Sequence, residues 1–336
     1  MVMQAGGWAS PFGISLVIDL FSAIMLVISG VIGVCCAFYS YTTIDDSRHK
    51  YNYFIFFHAI LLGVNGAFIT GDVFNLYVWI EVLLMASFGL LLLGAGELQL
   101  KAGIKYLTMN VIASILFLAG IGVLYGQTGT LNMADLALLL SEKKSLSPIN
   151  IAAVLFFLSL GIKSALFPFF YWLPASYHTP PIAVTALFAG LLTKVGVYAF
   201  IRMYTLFFKQ NSELWNTVFL VTAGLTMVVG VLTAASQIEL RRILSFHIIS
   251  QIGYMIMGLG IFTPLAIAGS IYFMAHNIFA KTNAFLVSGL IKHKYGSYSL
   301  KDLGNLYKDA PGLAFLFLIP AFALAGFPPL SGFIGK

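Results

Sequence analysis

Residues 158–174 read LSLGIKSALFPFFYWLP and place Lys163 deep inside a strongly apolar run. Pro168 follows the lysine by five residues, and Pro174 lies six residues further on. Proline removes a backbone donor and clashes with the preceding helical turn. A broken helix at membrane depth is tolerated only where it borders protein or a water-filled cavity. The stretch therefore predicts a membrane helix that is interrupted beside a buried lysine, whose ammonium can meet water and free carbonyl groups.

The composition around this stretch excludes a water-soluble chain. Of the 336 residues, 60% are hydrophobic and 9% are charged, with 18 Lys and Arg against 12 Asp and Glu. A soluble globular protein has about a quarter of its residues charged, so this chain cannot cover a water-facing surface. The net charge of +6 therefore does not indicate a nucleic-acid-binding protein. The adjacent Cys35 and Cys36 provide no disulfide framework, zinc site or iron–sulfur ligand set.

The apolar residues fall into runs of about 20 residues, the length that a helix needs to cross a hydrocarbon core of roughly 30 Å. Strands of a membrane barrel would alternate apolar and polar residues, which these runs do not do. We therefore expect an all-α, polytopic transmembrane helix bundle without a separate soluble domain. The ten predicted spans are 14–40, 52–70, 73–94, 104–125, 150–170, 181–208, 214–235, 242–262, 265–291 and 312–336. No signal peptide precedes the first span and the last is cut at Lys336, so we interpret the chain as a fragment.

Basic residues in the connecting loops predict the orientation of the bundle. The loops after the odd-numbered spans have ten basic residues: Arg48, Lys50, Lys101, Lys105, Arg241, Arg242, Lys292, Lys294, Lys301 and Lys308. These loops should therefore be cytoplasmic, which places the start of the chain outside. The other loops have three: Lys143, Lys144 and Lys209. Within the loop 126–149, a short apolar patch predicts a helix at the outer interface or against the bundle, with an ordinary loop as the alternative.

Charged side chains inside the predicted spans are the main candidates for function. On insertion scales an intramembrane charge costs at least ~2.5–3.5 kcal/mol, so it usually faces protein or water and has a partner. Glu81 is isolated within FNLYVWIEVLLMASFGLLLL, residues 74–93, and fits a partner for a buried lysine or a proton carrier. A helix–helix hydrogen bond is the structural alternative. Lys194 lies in mid-span between Gly190 and Gly196, which allow close approach of helices.

Histidines, a further lysine and two acids complete the candidate set. His247, His276 and Lys281 can border an interior channel and act as a proton relay, although a lone histidine is often only a helix contact. Because positions five apart differ by about 140° around a helix, His276 and Lys281 do not share one face. There are three weaker accessory candidates. Asp19 can pair with a neighbouring helix, Asp72 lies at a short turn, and His58 adds a further imidazole. Arg202 fits an anchor that reaches toward the outer interface.

A second proline break occurs in ALAGFPPLSGFIGK, residues 323–336, with Lys336 beside it. The fifth and tenth spans thus share an apolar helix, a proline break and a lysine, which indicates an internal repeat. Because the copies are an odd number of spans apart, they would lie in opposite orientations. We interpret 1–336 as one transmembrane domain, with a first repeat at about 52–208 and an incomplete second repeat at about 214–336.

Five stretches carry a resemblance to a known family. They read GDVFNLYVWIEVLLMASFGLLLLG (71–94), GIKSALFPFFYWLPASYHTPPIAVTALFAGLLTKVGVYAFIR (161–202), RRILSFHIISQIGYMIMGLG (241–260), HNIFAKTNAFL (276–286) and LAGFPPLSGFIGK (324–336). Over essentially its whole length the chain resembles the antiporter-like family shared by complex I proton-pumping subunits and Mrp-type cation/proton antiporters, and most of all the D subunits of the Mrp type. The resemblance implies inverted five-helix repeats, each with one broken helix, and further helices before and after this chain.

The resemblance also implies roles for the charged residues of the first half. Glu81 and Lys163 would be the glutamate–lysine pair of a first half-channel, and Lys194 would connect this pair to the central axis. We interpret the function as ion transport without covalent chemistry, in which water wires join these groups. Opening and closing of the Glu81–Lys163 pair would push a proton onward and draw the next one in.

For the second half, the resemblance places His276 and Lys281 on the connecting route and makes Lys336 the terminal lysine. His178 falls in a loop after the WLP motif, where a loop contact and a functional role are equally good interpretations. The resemblance implies no cofactor, metal ion or catalytic residue. The expected partners are other subunits of a multisubunit complex, the lipid bilayer, protons and Na⁺ or another monovalent cation. The expected location is the cell membrane of a prokaryote, as a multi-pass protein.

Three alternatives remain open at this stage. A proton-pumping subunit of a complex I-like NADH:quinone oxidoreductase or of a membrane-bound hydrogenase would have the same fold and lysines, with electron transfer in partner subunits as the driving force. A haem-binding cytochrome would use His58, His247 or His276 as axial ligands. This alternative is disfavoured, because the histidines lack paired spacing on two helices. The third alternative is an inert fragment.

Overall fold

The computed structural model describes residues 1–94, 96–142, 147–209 and 212–336, which form an all-α bundle apart from one short hairpin. Nearly all of the helices follow the apolar runs of the sequence. The first eight are α1 (Leu20–Thr43), α2 (Asp46–Lys50), α3 (Tyr53–Ile69), α4 (Val73–Leu92), α5 (Glu97–Thr128), α6 (Met133–Glu142), α7 (Ser147–Ser164) and α8 (Trp172–Tyr177). The next eight are α9 (Ile182–Leu187), α10 (Thr193–Leu206), α11 (Ser212–Ala235), α12 (Leu240–Ile261), α13 (Pro264–Tyr295), α14 (Leu306–Asp309), α15 (Pro311–Ala325) and α16 (Ser331–Gly335).

The membrane-spanning helices confirm the predicted polytopic bundle. In the described part of the chain, seven helical stretches are long and apolar enough to cross a membrane: Leu20–Thr43, Val73–Leu92, Glu97–Thr128, Pro148–Tyr177, Ile182–Leu206, Ser212–Ala235 and Leu240–Ile261. Helices α3 and α15 are apolar but shorter. Helix α13 has 32 residues and is less apolar, because it carries polar side chains such as His276, Asn277 and Lys281. Each of the ten predicted spans thus coincides with a helix or a broken helix.

The start of the chain differs from the predicted first span. Residues Val2–Gln4 (β1) and Ser15–Val17 (β2) form an antiparallel pair in which Val2 lies opposite Val17. Helix α1 therefore begins only at Leu20, and Asp19 is its N-cap residue, whose carboxylate accepts a hydrogen bond of 2.9 Å from the Ser22 amide. The prediction that this acid lies inside the membrane helix was wrong, because apolar residues of a strand merged with those of the helix in the sequence pattern.

The predicted helix in the loop 126–149 is present as α6. Its Leu136 and Leu140 are buried, and it packs against α10, so it lies against the bundle. Lys143 and Lys144, which entered the orientation count, lie outside the described residues. The preceding helix α5 is longer than predicted at both ends.

Two helices are interrupted where proline predicted a break. Helix α7 ends at Ser164, a 3-10 turn occupies Phe169–Tyr171, and α8 follows. Helix α15 ends at Ala325, and Gly326 adopts a φ of 83°, a left-handed conformation that suits glycine at a helix end. Helix α16 then continues the chain toward Lys336.

Helices α9 and α10 form the centre of the bundle and are joined by a π-helical turn, Phe188–Leu192. Residues 183–201 are all buried, since α1, α3, α7, α12 and α13 surround this segment. A π turn breaks the regular hydrogen-bond ladder and occurs often at functional sites. The central helix therefore combines complete burial with locally irregular backbone, and Lys194 lies directly after the irregular turn.

Candidate functional site

The break after α7 holds Lys163 in a fixed environment. The Ile162 carbonyl, in the last turn of α7, accepts hydrogen bonds from the Ala165 amide at 3.0 Å and from Trp172 Nε1 at 2.8 Å. The Phe167 amide donates to Thr226 Oγ1 of α11 at 3.0 Å. Backbone groups freed by the break are thus satisfied by neighbouring helices, as a membrane interior requires. Lys163, in the last turn of α7, is 9% exposed.

Glu81 and Lys163, which the family resemblance implies to be partners, lie close together at the interface of α4, α5 and α7. The distance between Glu81 Oε1 and Lys163 Nζ is 3.9 Å, which is longer than a direct hydrogen bond. Ser114 of α5 fills the gap: Lys163 Nζ donates to Ser114 Oγ at 3.1 Å, and Ser114 Oγ donates to Glu81 Oε1. The two charges are therefore joined mainly through a hydroxyl.

Ser114 is a site residue that the sequence analysis missed. Its Oγ lies 3.0 Å from the carbonyl oxygen of Asn110, one turn earlier on α5. A serine that bonds back to its own helix is common in membrane helices and indicates no function by itself. The available signal was the spacing of four between Asn110 and Ser114, which places two buried polar residues on one face of an apolar helix.

Lys194 lies on the central helix and is completely buried. Its Nζ donates to the carbonyl oxygen of Ala189 in the π turn at 2.6 Å. A cavity of about 20 Å³ lies between this part of the central helix and the first pair, and Lys163, Asn110, Leu192 and Gly196 line it. That volume holds about one water molecule. Lys163 thus borders a cavity that reaches the central helix at Leu192 and Gly196, on either side of Lys194 in the sequence.

Lys281 and His247 form a second buried contact, between α13 and α12. Lys281 Nζ donates to His247 Nδ1 at 2.7 Å and to the Leu244 carbonyl at 3.2 Å. An imidazole that accepts at Nδ1 carries its proton on Nε2. The amide of Gln251 lies 3.5 Å from His247 Nε2, and its oxygen is otherwise without a partner in the described part of the chain. If the Gln251 amide is turned so that its oxygen accepts from His247 Nε2, that oxygen and the imidazole N–H both gain a partner. A chain of hydrogen bonds then runs from Lys281 through His247 to Gln251.

The second broken helix meets α13 at His276 and Lys336. His276 Nδ1 lies 2.8 Å from Ser331 Oγ of α16. Lys336 Nζ donates to the Leu324 carbonyl at 2.9 Å and to the Ala325 carbonyl at 3.3 Å, which α15 leaves free where it ends. Lys281 interacts electrostatically with both Lys194 and Lys336. The structure therefore brings five of the six main candidate residues into two neighbouring clusters, and the sixth, Lys194, lies between them.

Three accessory candidates bind local partners instead. Asp72 is the N-cap of α4 and accepts from the Asn75 amide at 2.7 Å, while burial raises the pKa of its carboxyl. His178 Nδ1 lies 2.7 Å from the Pro174 carbonyl oxygen. Burial lowers the pKa of its imidazole, and the positive charge of Arg242 lowers it further. His58 is exposed on α3. These positions are accounted for by helix capping, loop contact and surface location.

Asp19, the remaining accessory candidate, pairs with Arg202 of α10. Both carboxylate oxygens accept from the guanidinium, whose Nε also donates to Tyr198 Oη at 2.9 Å. Burial acts to raise the pKa of the Asp19 carboxyl, but the hydrogen bonds and charge of Arg202 and the Ser22 amide lower it to about 2. This bidentate pair joins the start of α1 to the central helix.

We expect Asp19→Asn to leave proton transport intact and to lower stability by at most about 1 kcal/mol, because Asp19 is 42% exposed and exposed pairs are weak. The lowered pKa means that the charged pair stabilises the fold above about pH 4 and that this contribution is lost as the pH falls toward about 2. The thermal unfolding difference between variant and parent should therefore be smaller at about pH 2 than at pH 7. A loss of transport in the intact variant would return Asp19 to the proton route.

Several known proteins are similar to this chain in sequence. The family described as NADH:quinone oxidoreductase/Mrp antiporter, TM matches residues 70–336. The chain is 50% identical over 335 residues to the D subunit of the Na(+)/H(+) antiporter of Alkalihalophilus pseudofirmus, with 100% of this chain and 68% of that protein covered. It is 40% identical over 334 residues to the protein of the same name from Bacillus subtilis, with 99% and 68% covered. The chain thus spans about two thirds of the length of these curated relatives.

Two solved structures contain chains of similar fold. A chain of the Mrp complex from Dietzia sp. DQ12-45-1b is 36% identical and has a TM-score of 0.93, with 99% of this chain and 62% of that chain covered. A chain of the membrane-bound sulfane sulfur reductase, an archaeal respiratory membrane complex, is 28% identical and has a TM-score of 0.95, with 100% and 69% covered. Both likenesses extend over essentially the whole of the present bundle.

Proposed function

The chain belongs to the NADH:quinone oxidoreductase/Mrp antiporter transmembrane family, and on that basis we propose that it is the proton-translocating part of the D subunit in a multisubunit Na⁺/H⁺ antiporter. It is a multi-pass membrane protein. Its partners would be the other subunits of that antiporter, and its cargo would be protons exchanged for a monovalent cation. The identity of 50% to the D subunit of a Na(+)/H(+) antiporter supports this assignment over other members of the family.

The single observation that carries the proposal is the partly buried Glu81–Lys163 pair at a helix break. A carboxylate and an ammonium 3.9 Å apart, with a hydroxyl between them, can change their separation without breaking a tight ion pair. Beyond the pair, the buried Lys194 and Lys281 and the partly buried His247 continue through the bundle. Such groups inside a membrane domain mark ion pathways and proton relays.

The mechanism follows from the electrostatics of this pair. When Glu81 lies near Lys163, its negative charge stabilises the ammonium and favours uptake of a proton. When the two move apart, that stabilisation is lost, and the proton is released toward Lys194. Moving one charge across 100 mV requires ~2.3 kcal/mol. A change of about two pKa units, at 1.36 kcal/mol per unit, supplies this amount.

The two proline-broken helices divide the chain into two repeats. We assign the first repeat to about 52–208 and an incomplete second repeat to about 214–336, since each contains one proline-broken helix with a lysine beside the break. In the first repeat the lysine contacts a serine and a glutamate, whereas in the second Lys336 contacts the free carbonyls of α15. The second half would accept the proton from Lys194 by way of Lys281 and His276.

A second candidate function is a proton-pumping subunit of a redox complex. The TM-score of 0.95 against a chain of an archaeal respiratory membrane complex favours this possibility, because the same fold operates there beside other subunits. The two functions differ in driving force. Flavin or iron–sulfur subunits that copurify with the complex would support the redox pump, whereas their absence from an active complex would support the antiporter.

The test is cation-driven proton movement in the assembled complex that contains the full-length subunit. Everted membrane vesicles from a host without its own Na⁺/H⁺ antiporters are first acidified by respiration, and NaCl is then added. We expect the interior to become less acid within seconds of the addition, as measured with a pH-sensitive acridine dye. Vesicles that express the complex without this subunit are the control. An active redox complex whose proton uptake is insensitive to Na⁺, Li⁺ and K⁺ would contradict the proposal.

A further inference from the structure

The Ser114 hydroxyl has more hydrogen-bonding partners than one proton can serve. It is buried on α5, and its Oγ lies within hydrogen-bonding distance of Lys163 Nζ (3.1 Å), the Asn110 carbonyl oxygen (3.0 Å) and Glu81 Oε1. A hydroxyl has one proton to donate and two lone pairs that accept. The ammonium of a protonated Lys163 can only donate, so it occupies a lone pair of Oγ. The single proton of Ser114 must therefore go either to Glu81 or to the Asn110 carbonyl.

The charge of Glu81 decides between these two arrangements. A carboxylate is a stronger acceptor than a backbone carbonyl, so the hydroxyl turns to Glu81 when that residue is ionised. Once Glu81 is protonated it no longer attracts the hydroxyl in this way, and the carbonyl of Asn110 at 3.0 Å becomes the better acceptor. The carboxyl proton can then point to Oγ. A rotation about one side-chain bond thus follows the charge state of the pair.

The same hydroxyl also holds the pair apart. Without it, Glu81 and Lys163 could close from 3.9 Å to the roughly 2.8 Å of a direct charged hydrogen bond, which would hold the proton on the lysine. Alternatively, the two could separate and lose their coupling. Either outcome slows a cycle that requires the lysine to gain and lose a proton in turn.

We propose that Ser114 is the positioning residue of the Glu81–Lys163 pair: its hydroxyl keeps the two as a bridged pair and switches between Glu81 and the Asn110 carbonyl as the charge of the pair changes. This inference rests on the proposed function of the pair. In the described part of the chain, the further titratable groups that interact with Glu81 are Tyr77 on α4 and Tyr106 on α5. Both remain in place in the variants below.

Ser114→Ala and Ser114→Thr in the assembled complex test the proposal. A hydrogen bond to a charged group corresponds to a factor of roughly ten to a hundred, so we expect Ser114→Ala to lower Na⁺-driven proton transport at least about tenfold. We also expect the pH of maximal rate to be displaced, since the charge coupling of Glu81 and Lys163 has changed. Ser114→Thr keeps a hydroxyl and should restore both the rate and the pH profile.

Ser159→Ala is the matched control. Ser159, one turn before Lys163 on α7, is completely buried. Its Oγ donates to the Ala113 carbonyl of α5 at 2.6 Å and not to Lys163 or Glu81. We expect this variant to assemble and to transport at the parent rate with the parent pH profile. Equal losses in Ser159→Ala and Ser114→Ala would show that the hydroxyl only supports helix packing, and would overturn the proposal.

Two further results distinguish a failure of the role of Ser114 from a failure of the proposed function of the Glu81–Lys163 pair. Parent rate and pH profile in Ser114→Ala, together with lost transport in Glu81→Gln, would overturn the role of Ser114 and leave the pair intact. Full transport in Glu81→Gln would overturn the proposed function itself. If Ser114→Ala does not assemble, Ser114→Cys replaces it, because a thiol has similar size and bonds weakly. Parent behaviour of assembled Ser114→Cys would contradict the proposal.

Discussion

Lys163→Ala is expected to reduce Na⁺-driven proton transport to the level of membranes that lack the complex, while the complex still assembles. The substitution removes the ammonium that contacts Ser114 and lies near Glu81, so the proton-loading site is lost. It also leaves the Glu81 carboxylate without its cation. Removing one partner of a fully buried ion pair lowers the free energy of unfolding by roughly 3–5 kcal/mol. The loss should be smaller here, because the Glu81 side chain is 29% exposed. Dye-monitored transport in everted vesicles gives the rate, and native gel electrophoresis gives the amount of assembled complex.

Two companion variants sharpen this expectation. Lys163→Arg keeps the positive charge, but a guanidinium does not lose its proton in proteins, so the variant should assemble well and transport nothing. Lys105→Ala removes a lysine that donates to Tyr171 Oη at 3.1 Å near the same break but outside the buried pair, and it should transport at the parent rate. Retained transport in Lys163→Arg would mean that the positive charge, and not its proton, is what the site needs.

Lys281→Met should have an effect of the same size. The methionine side chain is nearly as long but cannot donate, so both the His247 imidazole and the Leu244 carbonyl lose their partner on α13. Because Lys281 is completely buried and interacts with Lys194 and Lys336, its loss removes the group that connects Lys194 to the rest of the second cluster. Proton movement should stop at Lys194, and net transport across the membrane should fall to background in the vesicle assay.

The comparison for Lys281 comes from the same helix. Lys292 lies near the end of α13, with its Nζ over the Tyr298 ring at 4.9 Å from the centroid, and Lys292→Met should transport normally. His247→Gln should retain partial transport, since glutamine still offers an acceptor to Lys281. Normal transport in assembled Lys281→Met would limit the proton route to the first cluster.

The sequence predicted the charged members of the site because an ionisable residue in an apolar run stands out. Glu81, Lys163 and Lys194 each interrupt a long hydrophobic span, and two prolines mark the break beside Lys163. The contact between Glu81 and Lys163 could be expected only from the family resemblance, since it depends on how α4, α5 and α7 pack. Ser114 gave no such signal, because an uncharged hydroxyl in a membrane helix normally bonds to its own backbone.

Local structure at the element ends was harder to predict. The run 14–40 reads as one apolar span, but pairing of Ser15–Val17 with Val2–Gln4 delays the start of the helix to Leu20 and makes Asp19 its N-cap. The two paired strands have only three residues each, which is too short for an alternation of apolar and polar residues to show in the sequence. The π turn at Phe188–Leu192 likewise arises from packing around the central helix, and the sequence there is that of an ordinary apolar helix.

The complete burial of residues 183–201 has a consequence for how the protein tolerates change. A helix that faces lipid, such as α11 with 28% of its span buried, can exchange one apolar residue for another because lipid adapts to its shape. The central helix touches protein on every side, so each added or removed methylene group there disturbs a neighbour. Sequence drift across this protein should therefore be slowest along its axis, and the outer helices should accept most of the variation between species.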